Sequence, residues 1–294
     1  MKIIFNADDF GITEENSQNI SDCFKYGLDS CSIIVNSDYI NHQIIKEKII
    51  NKNKNTKLHL NLIEGNSLFK NQEDINLLTN KSNLFDNSFF KLCLIYYCGP
   101  RYKKSLIKKQ IEEAIEKQII KYLDITKKNN YISIDSHQHI HLIPFIFDII
   151  IDLSKKYKIE YIRTTNEYIS FNFNLKIFLN NINNLTKVII LNFFSYIAKK
   201  KLNNIQIETS DNFLGVLNTG EMNSEIIKKY LRKNKNKIKN IEILMHPGHT
   251  KKEDKNNFIN NSKFYRYYSS NNRIMEKNCF TKGEINKIKN FYAK

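Results

Sequence analysis

The sequence predicts an α/β protein of one domain, in which a parallel sheet closes into an irregular, TIM-barrel-like β/α barrel. Short β-type runs alternate with longer helical patterns along the chain, which is typical of parallel sheets. Acids or histidines stand at or near the carboxyl ends of four of these runs. Catalytic groups gather in this way on one rim of a β/α barrel. An open doubly wound sheet would concentrate its ligands at one switch point, so four contributing strands favour the barrel.

The strand and helix patterns divide the chain as follows. Strands are predicted at residues 2–5, 32–35, 57–62, 131–134, 161–164, 205–208 and 241–245, and helices at 15–26, 103–127, 144–156 and 224–233. The second helix has the clearest pattern, because Ile107, Ile111, Ile115 and Ile119 form one apolar stripe. Thr13 is the expected N-cap of the first helix, with two glutamates in the turn behind it.

Composition limits the function classes. The formal net charge of the 294 residues is +16, which raises the question of nucleic acid or an anionic surface as a partner. The lysines are spread through almost every segment and usually stand beside asparagine, so a solvated surface is favoured and no nucleic-acid partner is predicted. Five cysteines without a regular framework indicate free thiols in a reducing compartment. No apolar run reaches the roughly 20 residues of a membrane span, and a cytoplasmic location is expected.

Asp8 and Asp9 directly follow the first strand. Neighbours in an extended stretch point to opposite sides, so one carboxylate could bind a metal while the other faces the substrate. The alternative is an N-cap for the following helix. One aspartate would suffice for a cap and Thr13 lies nearer the helix, but the doublet alone does not decide between the two interpretations.

Histidines provide a stronger signal. The third strand alternates strictly, which places His59 and Asn61 on one face; a lone inward histidine is more often a core residue than a ligand. The segment Asp135-Ser136-His137-Gln138-His139-Ile140-His141 changes that balance, because three histidines at alternate positions share a face wherever the chain is extended. A carboxylate and two histidines would leave open positions for water and substrate, as catalytic metal sites do.

His246 closes the last predicted strand and is followed by Pro247-Gly248, which force an abrupt turn. A rigid turn of this kind would hold an imidazole in place, as a general acid requires. An incidental loop histidine is the alternative.

Together these segments resemble the YdjC-like carbohydrate deacetylase family. The resemblance rests on Asn6-Ala7-Asp8-Asp9-Phe10-Gly11, Leu58-His59-Leu60-Asn61-Leu62 followed by Glu64-Gly65, the histidine-rich segment 135–141, Tyr161-Ile162-Arg163 and Met245-His246-Pro247-Gly248. The matches run in family order from residue 1 to about 250, and residues 266–280 match the family's C-terminal helix region more loosely. The resemblance implies a single domain over 1–294, with a core at about 1–250 and a C-terminal helical region at about 251–294.

The same resemblance implies hydrolysis of the N-acetyl group of an amino sugar by water that one divalent ion activates, with Zn²⁺ or Mg²⁺ as the expected metal. Asp9, His59 and His137 would hold the metal, with His139 as the alternative histidine. Asp8 would be the base and His246 the acid. Asp135, His139, Asn61 and Arg163 would contact the ligands or the substrate.

Two other functions stay open at this point. The first is a metal-dependent hydrolase of another amide or of a phosphoester, although two-metal phosphatases usually need more carboxylates. The second is a catalytically silent basic binding protein. The expected partner is an N-acetylated carbohydrate, such as a chito-oligosaccharide, a nucleotide sugar or a lipid-linked glycan, and a homodimer is possible. Specificity is expected in residues 65–101 and 165–201, where Phe89, Phe90, Phe171, Phe173 and Phe178 could stack on sugar rings or pack as a lid.

Overall fold

The computed structural model describes residues 1–52, 54–127, 131–169, 182–251, 253–254 and 256–292. Phe171, Phe173 and Phe178 lie outside these residues. Within them one parallel sheet has seven strands in the order β5-β4-β3-β2-β1-β7-β6. The strands are β1 (Lys2–Phe10), β2 (Ser30–Ile33), β3 (Asn55–Leu60), β4 (Ile132–Ser136), β5 (Ile159–Ile162), β6 (Asn212–Leu214) and β7 (Asn240–Met245).

Helices connect the strands and extend the chain beyond them. They are α1 (Glu14–Cys23), α2 (His42–Lys48), α3 (Phe89–Tyr97), α4 (Arg101–Thr126), α5 (Pro144–Leu153), α6 (Ile182–Asn203), α7 (Ser224–Asn234), α8 (Asn257–Asn260), α9 (Tyr265–Tyr268), α10 (Asn271–Thr281) and α11 (Glu284–Tyr292). The four helices predicted from the sequence are present as α1, α4, α5 and α7. The Thr13 hydroxyl accepts a hydrogen bond from the Asn16 backbone N–H, so the predicted N-cap is confirmed. Among the helices of the described ranges, none has both the length and the apolarity that crossing a bilayer demands.

The edges of the sheet are joined by backbone hydrogen bonds. The Ile162 N–H donates to the Glu208 carbonyl and the Glu208 N–H donates to the Glu160 carbonyl, at 3.0 and 2.8 Å. The Phe213 N–H donates to the Asn166 carbonyl at 3.0 Å. These bonds connect the β5 edge to the segment that leads into β6. The sheet therefore curls round towards closure, and the predicted α/β barrel architecture is confirmed with an irregular seam.

The seam is where the strand prediction is wrong. Residues 205–208 do not form a strand, and only Glu208 makes an isolated parallel bridge to Tyr161. Gln206 has a left-handed backbone with φ of 58°, which interrupts an extended run at its second residue. The strand beside β7 is instead Asn212–Leu214, a run of three residues that is too short to give a pattern of its own.

The apolar core lies mainly between the sheet and the helices. The four isoleucines of the α4 stripe are buried, and Leu58 and Leu60 of β3 are buried as well. Lys57 and His59, which alternate with these leucines, instead contact buried carboxylates. Because the outer faces of the strands take the apolar side chains, the other face of the barrel is free to carry a charged network.

Candidate active site

Three predicted ligands meet at the carboxyl ends of β1, β3 and β4. Asp9 Oδ1 lies 3.5 Å from His59 Nε2 and 3.2 Å from His137 Nδ1, and the three residues are buried. Such separations suit neighbouring ligands around one metal ion, whose bonds to nitrogen and oxygen are about 2.0–2.2 Å long. His137 Nε2 is buried without a hydrogen-bond partner among the described residues. The donor set therefore fits a divalent cation.

Both aspartates of the doublet approach His59. Asp8 Oδ2 lies 3.8 Å from His59 Nε2, close to the 3.5 Å that separates this nitrogen from Asp9. The expectation that the two side chains point to opposite sides is wrong, because Asp9 has a φ of 68° and departs from extended geometry. Aspartate tolerates this left-handed conformation better than most residues.

The histidine-rich segment is not extended either. Residues 137–142 form a 3₁₀ turn in which Gln138 and His139 have left-handed backbones. The three histidines therefore do not share one face. His141 contacts the Ser136 hydroxyl at 2.6 Å and the Arg163 carbonyl at 2.9 Å, away from the ligand cluster. His139 lines the same cavity as His137, but of these histidines only His137 contacts Asp9.

Asp135 orients His59. The His59 Nδ1–H donates to Asp135 Oδ1 at 2.6 Å, which leaves Nε2 towards Asp8 and Asp9. Burial alone would lower the pKa of His59, but Asp8 and Asp135 raise it to about 10. Burial likewise favours neutral Asp9, yet hydrogen bonds from His137 and His59 hold the pKa of this carboxyl well below its usual range. Both shifts arise because carboxylates and imidazoles stabilise one another's charged forms, and the raised pKa of His59 shows that its surroundings favour a cation.

A buried guanidinium holds the carboxylates beneath the cluster. Arg163 donates to both oxygens of Asp8 at 2.8 Å and lies 2.7 Å from Asp135 and from Glu242. Lys57 pairs with Glu242 at 2.7 Å. Burial opposes ionisation of Asp8, but Arg163 and His59 lower its pKa far below the usual range. Asp8 therefore stays ionised.

His246 approaches the cluster from β7. Its Nε2 lies 4.0 Å from Asp9 Oδ2, the oxygen that does not contact His59 and His137. Its backbone N–H donates to Glu276, and its ring lies edge-on to Tyr267 at 5.5 Å. Arg273 is buried and donates to both Glu276 and the Tyr267 hydroxyl. The C-terminal helices thus support His246, and no local pattern in the sequence indicates this support.

A second support surrounds His137. Glu64 lies 3.6 Å from His137 Nε2 and accepts hydrogen bonds from Ser262 and from the Tyr268 hydroxyl, at 2.7 and 2.8 Å. Asn61 donates to the Glu64 carbonyl at 2.8 Å and accepts from the Ile63 N–H. The contacts of Asn61 therefore hold the turn that carries Glu64.

The cluster forms the floor of a cavity. Besides Asp8, Asp9 and the histidines, the walls are formed by α3, α6, the loop after β6, the end of β7 and the α9 region. Their lining side chains are Phe89, Phe90, Lys187, Ile190, Leu191, Val216, Thr219, Leu244, Phe264 and Tyr267. Most of these side chains are apolar. A ligand in this cavity would meet the charged floor with one end and apolar walls along its sides.

The contact between Glu167 and the loop after β6 makes the stability of the folded protein depend on pH. Glu167 is buried and accepts hydrogen bonds from the backbone N–H groups of Gly215, Val216 and Leu217. Burial outweighs these bonds and raises the pKa of Glu167 from 4.5 to about 7. The folded state therefore binds this proton more tightly, so its contribution is complete below pH 4.5 and is lost as pH rises through 7.

We expect the unfolding free energy of the wild type to fall by about 2–3 kcal/mol, relative to Glu167→Gln, between pH 5 and pH 8. Gln keeps the shape of the side chain and removes its titration. Denaturant unfolding of both proteins at several pH values measures this difference. A constant difference across the range would contradict the role of Glu167.

The site and the fold together define a class, an irregular β/α barrel with a buried carboxylate and two histidines at the carboxyl ends of its strands. The family model of the YdjC-like proteins matches residues 2–289. The chain belongs to the YdjC-like family.

Curated relatives agree with this assignment, and a solved structure shares the fold. A carbohydrate deacetylase of Clostridium beijerinckii is 27% identical over 191 residues, which cover 60% of this chain and 70% of that protein. A carbohydrate deacetylase of Danio rerio is 26% identical over 169 residues, covering 57% of this chain and 50% of that protein. A crystal structure of a suggested cellobiose-phosphate cleavage protein from Enterococcus faecalis has a TM-score of 0.68 at 18% identity, covering 99% of this chain and 94% of that one. This last likeness concerns the fold alone.

Proposed function

We propose that this chain is a metal-dependent carbohydrate deacetylase that hydrolyses the N-acetyl group of an amino sugar. The observation that carries the proposal is the Asp9–His59–His137 cluster, which lies at the cavity floor with Asp8 and His246 beside it. The names of the relatives from Clostridium beijerinckii and Danio rerio support the reaction and the substrate class.

Asp9, His59 and His137 would hold one Zn²⁺ or Mg²⁺ ion. A divalent ion in such a site lowers the pKa of water and stabilises negative charge that develops on a carbonyl oxygen. Asp135 keeps His59 Nε2 available by occupying Nδ1, as second partners of ligand histidines commonly do. The apolar cavity walls limit water at the site, which strengthens the electrostatic interactions of these groups.

Asp8 would accept the proton of the attacking water. Its two oxygens are fixed by Arg163, and Asn6 donates to Oδ1 at 2.8 Å. The lowered pKa keeps Asp8 ionised near neutral pH, so a proton acceptor is available there. The same low pKa makes it a weak base. Its effect therefore depends on position, which the bidentate contact with Arg163 secures.

His246 would protonate the leaving amine. Burial lowers its pKa to about 4, so the imidazole is neutral near pH 7. The proton that His246 gives to the amine would therefore be the one that Asp8 has accepted from the attacking water, which returns both groups to their starting states. His246 Nδ1 is buried with no hydrogen-bond partner among the described residues. Glu276 and Tyr267 hold the backbone and ring of this histidine in place.

We expect His246→Gln to lower kcat by about 10²–10⁴ while the metal content per chain stays unchanged, because positioned proton transfer is typically worth that factor. Steady-state acetate release and elemental analysis of the same samples give the two values. The matched control is His249→Gln, which alters a histidine that contacts the Ser269 carbonyl outside the cavity lining and should keep wild-type kcat. A His246→Gln enzyme with unchanged turnover would remove His246 from the mechanism.

The reaction is tested by acetate release from a panel of N-acetylated sugars, from N,N′-diacetylchitobiose to nucleotide-linked forms, together with detection of the free amine. Equal amounts of acetate and amine would establish the deacetylase. Phosphate release from sugar phosphates without acetate would favour a phosphoester hydrolase. Tight, salt-sensitive polyanion binding with no product would favour a silent binding protein.

A further inference from the structure

Two helices that line the cavity also expose apolar side chains to solvent. On α3, Phe90, Leu94 and Tyr97 are 47–59% exposed, and on α6, Ile189, Phe193 and Tyr196 are 55–60% exposed. Each set follows the spacing i, i+4, i+7, which places its members on one side of the helix. We call these six residues the α3/α6 face. They are six of the fifteen large apolar side chains that are exposed in the described residues.

The face is continuous with the mouth of the cavity. Phe89 of α3 stacks on Phe194 of α6 with ring centroids 6.2 Å apart, so the two helices are neighbours. Phe90 belongs to the face and also lines the cavity. Lys187 and Ile190 of α6 line the cavity beside it. Anything that covers the α3/α6 face therefore lies at the entrance to the Asp9–His59–His137 cluster.

The charges carried by the two helices of the face have one sign, while Asp148 of α5 lies close enough to Tyr97 to add to the rise that burial causes in the pKa of its hydroxyl. Residues 89–109 contain six Lys or Arg and no Asp or Glu, and α6 contains four Lys and no acid. Three of these cations pair with carboxylates, namely Lys108, Lys109 and Lys201. The other seven form no ion pair within the described residues: Lys91, Arg101, Lys103, Lys104, Lys187, Lys199 and Lys200. Thirty acids are distributed elsewhere along the chain, so this region differs from the rest.

We propose that the α3/α6 face docks on an anionic lipid surface and that the cavity thereby takes an N-acetylated amino sugar carried on a lipid; the substrate part of this inference rests on the proposed deacetylase. Exposed apolar side chains flanked by Lys and Arg are the pattern of helices that lie in a membrane interface. A second copy of the chain on the same face would bring like charges together, which disfavours a symmetric dimer there.

Docking through the α3/α6 face would place the mouth of the cavity next to the lipid surface. Lys187 lines the cavity and has no hydrogen-bond or ion-pair partner among the described residues. It is therefore free to bind an anionic group, such as a phosphate between the sugar and its lipid anchor. The sugar would enter past Phe90 towards the charged floor while the anchor stays in the lipid layer.

The test is sedimentation of the full chain with vesicles of phosphatidylcholine alone or mixed with phosphatidylglycerol. We expect binding to the mixed vesicles that weakens as salt is raised, and little binding to phosphatidylcholine alone. Leu94→Ser with Phe193→Ser should weaken the binding by roughly tenfold or more for each substitution. Phe291→Ser on α11, which removes a side chain that is 70% exposed, is the matched control and should bind as the wild type. Circular dichroism checks that each variant is folded.

Absence of wild-type binding to the anionic vesicles at low salt would overturn the proposal. Unchanged binding by the folded double variant would also overturn it. A third contradicting result would be a dimer that the double substitution dissociates, in a wild-type protein that does not bind vesicles. The wild type is also assayed on a long-chain alkyl glycoside of N-acetylglucosamine in the vesicles and on soluble N,N′-diacetylchitobiose. Faster acetate release from the embedded substrate supports the inference, and release from the soluble sugar alone contradicts it. No acetate from either substrate contradicts the deacetylase itself, whereas the docking is decided by sedimentation.

Discussion

Asp9→Asn is expected to remove the bound metal and to lower metal-dependent acetate release by roughly three orders of magnitude or more. The Asp9 carboxylate contacts His59 and His137 through one oxygen, so its charge would be the centre of the proposed metal site. Loss of the ion removes several kcal/mol of transition-state stabilisation, and each 1.36 kcal/mol is a factor of about ten in rate. Asn suits the test, because it tolerates the φ of 68° at this position and keeps the shape of the side chain.

Elemental analysis of the purified variant and acetate assays with added metal measure this effect. The matched control is Asp86→Asn, which alters a carboxylate that pairs with Lys263 near the surface and does not line the cavity. The control should keep the metal and the activity. An Asp9→Asn protein with one metal per chain and full turnover would show that the metal site is elsewhere.

Arg163→Met is expected to lower the free energy of unfolding by about 3–5 kcal/mol, because removal of one partner leaves buried charges uncompensated. Arg163 is buried and contacts Asp8, Asp135 and Glu242. Lys57 would be the one cation left within salt-bridge distance of Glu242 among the described residues. Arg163→Lys should lower the free energy of unfolding less than Arg163→Met does. Lysine keeps the positive charge, but it cannot donate the several coplanar hydrogen bonds of a guanidinium.

Urea unfolding of the wild type and both variants gives these free energies. Lys155→Met, which breaks an exposed pair with Asp152, is the control and should leave the unfolding midpoint nearly unchanged. If Arg163→Met lies within about 1 kcal/mol of the wild type, the buried network does not stabilise the barrel as described.

Local patterns in the sequence were enough to predict the elements that carry the site. The strict alternation of β3 places His59 inward, and the acids at the carboxyl end of β1 and the histidines after β4 stand where apolar runs end. Parallel strands bring their carboxyl ends to one edge, so the proximity of Asp9, His59 and His137 follows from topology. The structure places these three residues together, as the sequence analysis expected for a metal site.

Backbone conformation and long-range contacts between side chains could not be predicted from local sequence patterns. Left-handed residues at Asp9, His139 and Gln206 change side-chain directions or prevent a predicted strand from forming, and no glycine marks these positions in the sequence. Glu242 contacts Arg163 across 79 positions of sequence, which local periodicity does not report. The alternation that places His59 inward also places Lys57 on the inner face, and this signal could have indicated a buried partner such as Glu242.

The support for His246 comes from residues far along the chain. Glu276 lies 30 positions after the histidine whose N–H it accepts, and Arg273 acts through Glu276 and Tyr267. The sequence of such a helix indicates only an ordinary amphipathic element. Its role becomes visible only when the C-terminal helices pack against β7.

The most direct measurement is acetate release by one preparation of the wild-type chain, first stripped of metal with a chelator and then titrated with Zn²⁺ or Mg²⁺ in the presence of N,N′-diacetylchitobiose and the lipid-embedded glycoside. We expect release to stop on chelation and to return as one ion per chain is restored, with one amine formed for each acetate. Release that continues undiminished in the chelated protein, or full metal loading without acetate from either substrate, would contradict a metal-dependent sugar deacetylase.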